Sequence, residues 1–190
     1  MINKLSKNIV NYLVLEGNVT VPQRKIYEYG VRQLIMYFCD FVGIVLIGIY
    51  EEMLIYTFLI SILFIVLQRY AGSYHAPRRW MCYVVSMFLI IFSVKSFQFL
   101  QCENIRIGSL FGVSFVIVFL APVENNKKRL DEKEKRTYKN KCLYICFVYI
   151  FGGVLLKLLS ISNIYQMLLI VFVDIMALQI CGVIALAIKD

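Results

Sequence analysis

The sequence predicts an all-α integral membrane protein: a polytopic helical bundle of about six transmembrane helices preceded by an amphipathic N-terminal segment. Three observations carry this. Hydrophobic residues make up 61% of the chain and charged residues only 17%, against roughly half and a quarter in soluble domains. The apolar residues gather in runs near the ~20 residues that a helix needs to cross a hydrocarbon core. Lys and Arg fall in alternate connections between the runs, as expected when cytoplasmic loops retain positive charge. With 190 residues, the chain reads as one domain over 1–190, with no soluble domain or low-complexity linker between the runs.

Residues 1–28 mix charge with Leu5, Ile9, Tyr12 and Leu13, a spacing near three to four that predicts an amphipathic helix on the membrane surface. No short apolar stretch with a small-residue cleavage site follows Met1 to Lys7, so no removable signal peptide is expected. Pro22 separates this segment from the first span. Spans are predicted at Val31–Tyr50, Met53–Leu67, Trp80–Leu100, Ile107–Pro122, Lys141–Lys157 and Ile164–Ile188, the second and fifth being short for a ~30 Å core.

Basic residues set the predicted orientation. Lys4, Lys7, Arg24, Lys25 and Arg32 precede or open the first span, and Arg69, Arg78 and Arg79 follow the second. The connection over 123–141 holds Lys127, Lys128, Arg129, Lys133, Lys135, Arg136, Lys139 and Lys141. Both termini and both basic loops are therefore expected in the cytoplasm. The net charge of +8 points to orientation and contact with the lipid bilayer, and nucleic acid is not an expected partner. Cys39, Cys142, Cys146 and Cys181 lie in apolar runs, where cysteine behaves as a small hydrophobe. Cys142 and Cys146 share a helix face without a histidine or carboxylate to complete a metal site, so neither metal nor cofactor is expected.

The loop over 68–79 carries the chemistry. The only histidine, His75, stands seven residues before Cys82 in Arg69-Tyr70-Ala71-Gly72-Ser73-Tyr74-His75-Ala76-Pro77-Arg78-Arg79-Trp80-Met81-Cys82. Gly72 and Ser73 favour a turn, and Pro77 suits the first position of a helix. Cys82 then falls in the second turn of the third span, roughly 7.5 Å along the axis from Pro77, within reach of an imidazole folded back from the loop. A thiolate is the reactive form of cysteine. Here a base, the positive end of a helix dipole and Arg78 with Arg79 all favour it. Such a group attacks a carbonyl and forms an acyl-enzyme. A third member of the set stays open among Ser73, Gln98, Asn104, Glu124 and Asn125.

The stretch Arg69-x-x-Gly72-x-Tyr74-His75-Ala76, with Cys82 seven after the histidine, resembles the signature of the accessory gene regulator B family, the AgrB-like membrane endopeptidases of Gram-positive bacteria. Ala121-Pro122 with Asn126-Lys127, and Tyr29-Gly30 before the first span, are similar to that family's other recurrent segments. The family often has a second glycine where this chain has Ser73, and a proline where it has Lys128. The resemblance implies a cysteine endopeptidase with His75 and Cys82 as catalytic pair. Arg69, Gly72 and Ser73 would support the oxyanion, and Arg78, Arg79, Lys127, Lys128 and Arg129 would meet the substrate. That substrate is expected to be an AgrD-like precursor peptide with an amphipathic leader and an acidic tail. Tail removal and ring closure to a thiolactone or lactone would give a quorum-sensing peptide.

Asp40, Lys95 and Asp174 sit inside apolar runs and mark either bundle packing or a pathway. A small peptide exporter without catalysis is therefore the alternative reading, and a noncatalytic membrane adaptor a third. A homodimer is compatible with a bundle this small.

Overall fold

A computed structural model describes residues 2–17, 19–72, 79–100, 108–123, 131–159 and 162–187. Its helices are α1 (Ile2–Leu15), α2 (Arg24–Tyr50), α3 (Leu54–Ala71), α4 (Arg79–Leu100), α5 (Gly108–Leu120), α6 (Glu132–Leu158) and α7 (Ser162–Ala187), with a 3-10 turn at Val21–Gln23. No strand occurs among the described residues. Five helices are long and apolar enough to span a membrane, and the thirteen residues of α5 form a shorter apolar helix. The protein is thus an all-α, multi-pass membrane bundle.

The chain divides into two units, 1–46 and 47–190. In the first, Leu5, Ile9 and Tyr12 lie exposed along α1, the apolar stripe expected of a helix lying at the interface. Thr20 is extended and Pro22 opens the 3-10 turn, where its missing N–H costs no helical bond. Arg24 Nε then donates to Glu28 Oε1 at 3.0 Å across the first turn of α2. Leu34, Phe38 and Phe41 are exposed on that helix, a surface suited to lipid tails.

The second unit is built around α7, which packs on α3, α4, α5 and α6. Its sequence is apolar all round, as an enclosed helix requires, and Tyr165, Val171, Phe172 and Ile175 are each at most 1% exposed. Lipid tails are as apolar as leucine, so helices in a bilayer associate through packing and interhelical hydrogen bonds. Ser93 Oγ donates to Asp174 Oδ2 at 2.6 Å, and Tyr149 Oη donates to the Leu63 carbonyl at 3.2 Å. Gln166 Nε2 reaches the Leu100 carbonyl at 3.0 Å. At the α2–α3 turn, Met53 N donates to Gly48 O at 2.9 Å, and a Cβ on Gly48 would come within 2.9 Å of Leu54 Cα. Glu51, in that turn, pairs with Lys95 of α4 and accepts from Gln98 Nε2.

Several boundaries differ from those predicted. The N-terminal segment is two pieces, because α1 ends at Leu15 and α2 is already helical from Arg24. The second span runs four residues past Leu67, to Ala71. The segment from 132 to 141, read as loop, forms the first turns of α6. Asp131 and Glu134 make a capping box there, with the Asp131 N–H donating to Glu134 Oε2 at 3.4 Å, and such a cap favours a helix start by about 1 kcal/mol. At 27 residues, α6 is about 40 Å long, so its charged first turns extend beyond a ~30 Å hydrocarbon core.

Candidate functional site

Two loops leave the bundle from one point. The backbone of α3 ends at Gly72, whose φ of 70° lies in the left-handed region and whose N–H donates to Gln68 O at 3.2 Å. Val123, just beyond α5 and the cis bond between Ala121 and Pro122, donates its N–H to the Ala71 carbonyl at 3.1 Å. The two segments touch: a Cβ on Gly72 would lie 2.4 Å from the Val123 carbonyl oxygen. From Gly72 the chain runs on to His75, and from Val123 to Lys127, Lys128 and Arg129. The two segments singled out in the sequence, around Gly72 and around Ala121-Pro122, are therefore adjacent in space.

Gln179 of α7 closes this junction from inside. It is fully buried, and its Nε2 donates to Ala71 O at 3.0 Å and to Ile117 O at 3.3 Å. Beside it, α6 meets the end of α3. The Tyr70 and Tyr138 rings are 5.8 Å apart, and Lys141 Nζ stands 5.3 Å from the centre of the Tyr70 ring, within range of a cation–π contact. The end of α3, the end of α5 and the first turns of α6 thus share one end of this unit.

α4 is described from Arg79, and Cys82 lies three residues further along it; Pro77, where the sequence places the start of this helix, lies outside the described residues. The thiol is half-buried. Arg69 is exposed on the last turn of α3. His75, Ser73, Arg78, Lys127, Lys128 and Arg129 lie outside the described residues, as do Pro77 and the side chain of Arg79. Of the residues open as a third member, Gln98 is committed to Glu51, and Asn104, Glu124 and Asn125 also lie outside the described residues.

Two of the three ionisable positions within the spans have partners in neighbouring segments. Asp174 accepts from Ser93 and Lys95 pairs with Glu51, while Asp40 is half-buried in α2. Cys142 and Cys146 are buried in the core, and Cys181 is exposed on α7. No group of three metal-ligating side chains occurs among the described residues. Sequence reasoning missed Gln179, Tyr70 and Tyr138. The first does carry a signal, since an uncharged amide within an apolar span has few ways to be satisfied except by a neighbouring helix.

The chain is similar to known proteins over most of its length. The family model described as Accessory gene regulator B matches residues 6–185. A "Putative AgrB-like protein" of Clostridium perfringens strain SM101 is 29% identical over 181 residues, covering 88% of this chain and 80% of the relative. A "Putative AgrB-like protein 2" of Clostridium perfringens strain 13 is 28% identical over 169 residues, covering 82% and 77%. No solved structure matches the chain.

Proposed function

This chain belongs to the accessory gene regulator B family, and from that premise we propose that it is a membrane cysteine endopeptidase that processes an AgrD-like precursor peptide. The observation that carries the reading is the Gly72–Val123 contact, which starts the histidine-bearing loop and the basic loop at one place. A peptide whose acidic tail meets Lys127, Lys128 and Arg129 is thereby held beside the loop that carries the base.

In this reading His75 takes the Cys82 proton, and the thiolate attacks the carbonyl carbon that precedes the tail. The C–N bond breaks, the imidazolium returns its proton to the departing amine, and the signal peptide is left as a thioester on Cys82. An internal thiol or hydroxyl of the peptide then attacks that carbonyl, gives its proton to His75, and closes the ring as Cys82 leaves. No water is consumed. The sulfur leaves as a thiolate beside the imidazolium, and return of that proton from His75 to Cys82 restores the starting pair. Trapping tests this directly: with a precursor whose internal nucleophile is replaced by alanine, the thioester should accumulate on Cys82 and be released by hydroxylamine. A trapped precursor attached elsewhere, or none with cleavage intact, would exclude the assignment.

The exporter reading rests on charged residues inside spans, and Lys95 and Asp174 already have the local partners Glu51 and Ser93. Two further results are expected. The termini, His75 and the basic segment lie in the cytoplasm, so a cysteine at position 133, on a background without other reactive thiols, is shielded from an impermeant maleimide in intact cells and labelled after permeabilisation. Labelling in intact cells would reverse the orientation. Replacing Lys127, Lys128 and Arg129 with Gln weakens processing. Exposed pairs are worth about 0.2–1 kcal/mol each, so three amount to roughly threefold to a hundredfold. Added salt should shrink this difference, because exposed charges are screened over about 8–10 Å at 0.1–0.15 M. A correctly inserted triple variant that works at the wild-type rate would reduce the basic loop to an orientation signal.

A further inference from the structure

We propose that Gln179 is a positioning residue for the reaction, a role that rests on the peptidase reading above. Its amide ties the ends of α3 and α5 together and so fixes where the chain departs toward His75 relative to Cys82. The geometry singles it out. Gln179 is fully buried, and its two amide hydrogens go to carbonyls on two different helices, Ala71 of α3 and Ile117 of α5. The Ala71 carbonyl immediately precedes Gly72, and the Ile117 carbonyl lies one helical turn before the Ala121–Val123 exit.

Stability alone does not account for an amide here. Ala71 O already accepts the Val123 N–H at 3.1 Å, and Ile117 O accepts the Ala121 N–H at 2.9 Å. Neither carbonyl would be left without a donor if Gln179 were removed. The Gln179 Oε1 atom, in turn, is buried with no donor among the described residues, an arrangement that costs about 1–3 kcal/mol. An apolar side chain of the same length would remove that cost, and in a bilayer interior hydrogen bonds of this kind contribute only about 0.6–2 kcal/mol. Methionine should therefore hold the fold as well as glutamine does. What methionine cannot do is bind two helix ends at a fixed separation through directional bonds. A displacement of about 1 Å in a catalytic group can cost on the order of 100-fold in rate.

The experiment compares the full-length Gln179→Met variant with wild type in detergent, alongside Cys82→Ala. Melting temperature, kcat and KM for a precursor peptide, the pH profile of Cys82 alkylation by iodoacetamide, and hydrogen exchange of peptides covering 68–72 and 117–123 are measured. The expected result is an unchanged or higher melting temperature, faster exchange confined to those two peptides, and a kcat lowered about 10- to 100-fold with KM held. The alkylation profile of Cys82 should move to higher pH, which core packing alone would not cause. Wild-type kcat with wild-type exchange makes Gln179 a core filler and overturns the proposal. Faster exchange with unaltered kcat also overturns it, since the clamp would then serve no chemistry. If Cys82→Ala processes the precursor normally, the peptidase reading fails and takes the positioning role with it, whereas a failure of Gln179→Met alone leaves that reading standing.

Discussion

Cys82→Ala is expected to abolish both release of the precursor's tail and any covalent adduct, at unchanged abundance in the membrane. Without sulfur there is no nucleophile, and the half-buried position in α4 tolerates the smaller side chain. Cys82→Ser retains an oxygen, but a hydroxyl gives up its proton to imidazole far less readily than a thiol does, so activity should fall steeply. His75→Ala removes the general base, a function worth typically 100- to 10,000-fold. The helix dipole can still stabilise a little thiolate, so a trace of slow acylation should remain. Cys142→Ala and Cys181→Ala are the controls: one sulfur is buried in the core, the other exposed on α7, and neither is assigned to the reaction. If Cys82→Ala released the tail at the normal rate, the cysteine would have no chemical role and the exporter reading would replace this one.

The second large effect is expected at Gly72. With a φ of 70° and the Val123 carbonyl oxygen 2.4 Å from where a Cβ would stand, Gly72→Ala meets two penalties at once. A side chain in the left-handed region costs roughly 1–2 kcal/mol, and the overlap forces the ends of α3 and α5 apart. Processing should drop more than about tenfold by the positional argument, with a lower melting temperature in detergent. Gly112, inside α5, has nothing within 4 Å of where a Cβ would stand, and Gly112→Ala should be neutral or slightly stabilising, since alanine is favoured over glycine in a helix by about 1 kcal/mol. Equal behaviour of the two variants would mean that the contact at Gly72 is not needed for activity.

Much of this was legible in the sequence because lipid imposes a length and a polarity on each span. The runs predicted to end at Tyr50, Leu100 and Ile188 end within a residue of the described ends of α2, α4 and α7, and the glycine before His75 proved to be the end of α3. The first turns of α6 were missed for a physical reason. Their residues are polar all round, so no apolar period marks them, and the Asp131-x-x-Glu134 cap was the one local signal available. The junction itself could not be read. Gly72, Val123 and Gln179 lie far apart in the chain, and nothing local to any of them tells which helix end it will meet. The enclosed place of α7 was equally hidden, because every span is apolar and only tertiary packing decides which one is surrounded.

That place also bears on biosynthesis. The helix around which α3, α4, α5 and α6 gather is the last of the described helices to leave the ribosome. Until it inserts, the earlier spans can each cross the bilayer, since every one satisfies its own backbone, but they have no common partner to assemble on. The amide that joins the ends of α3 and α5 arrives only with it. A nascent chain is therefore without the α3–α5 junction throughout most of translation, and the ordered bundle end appears in a single late step.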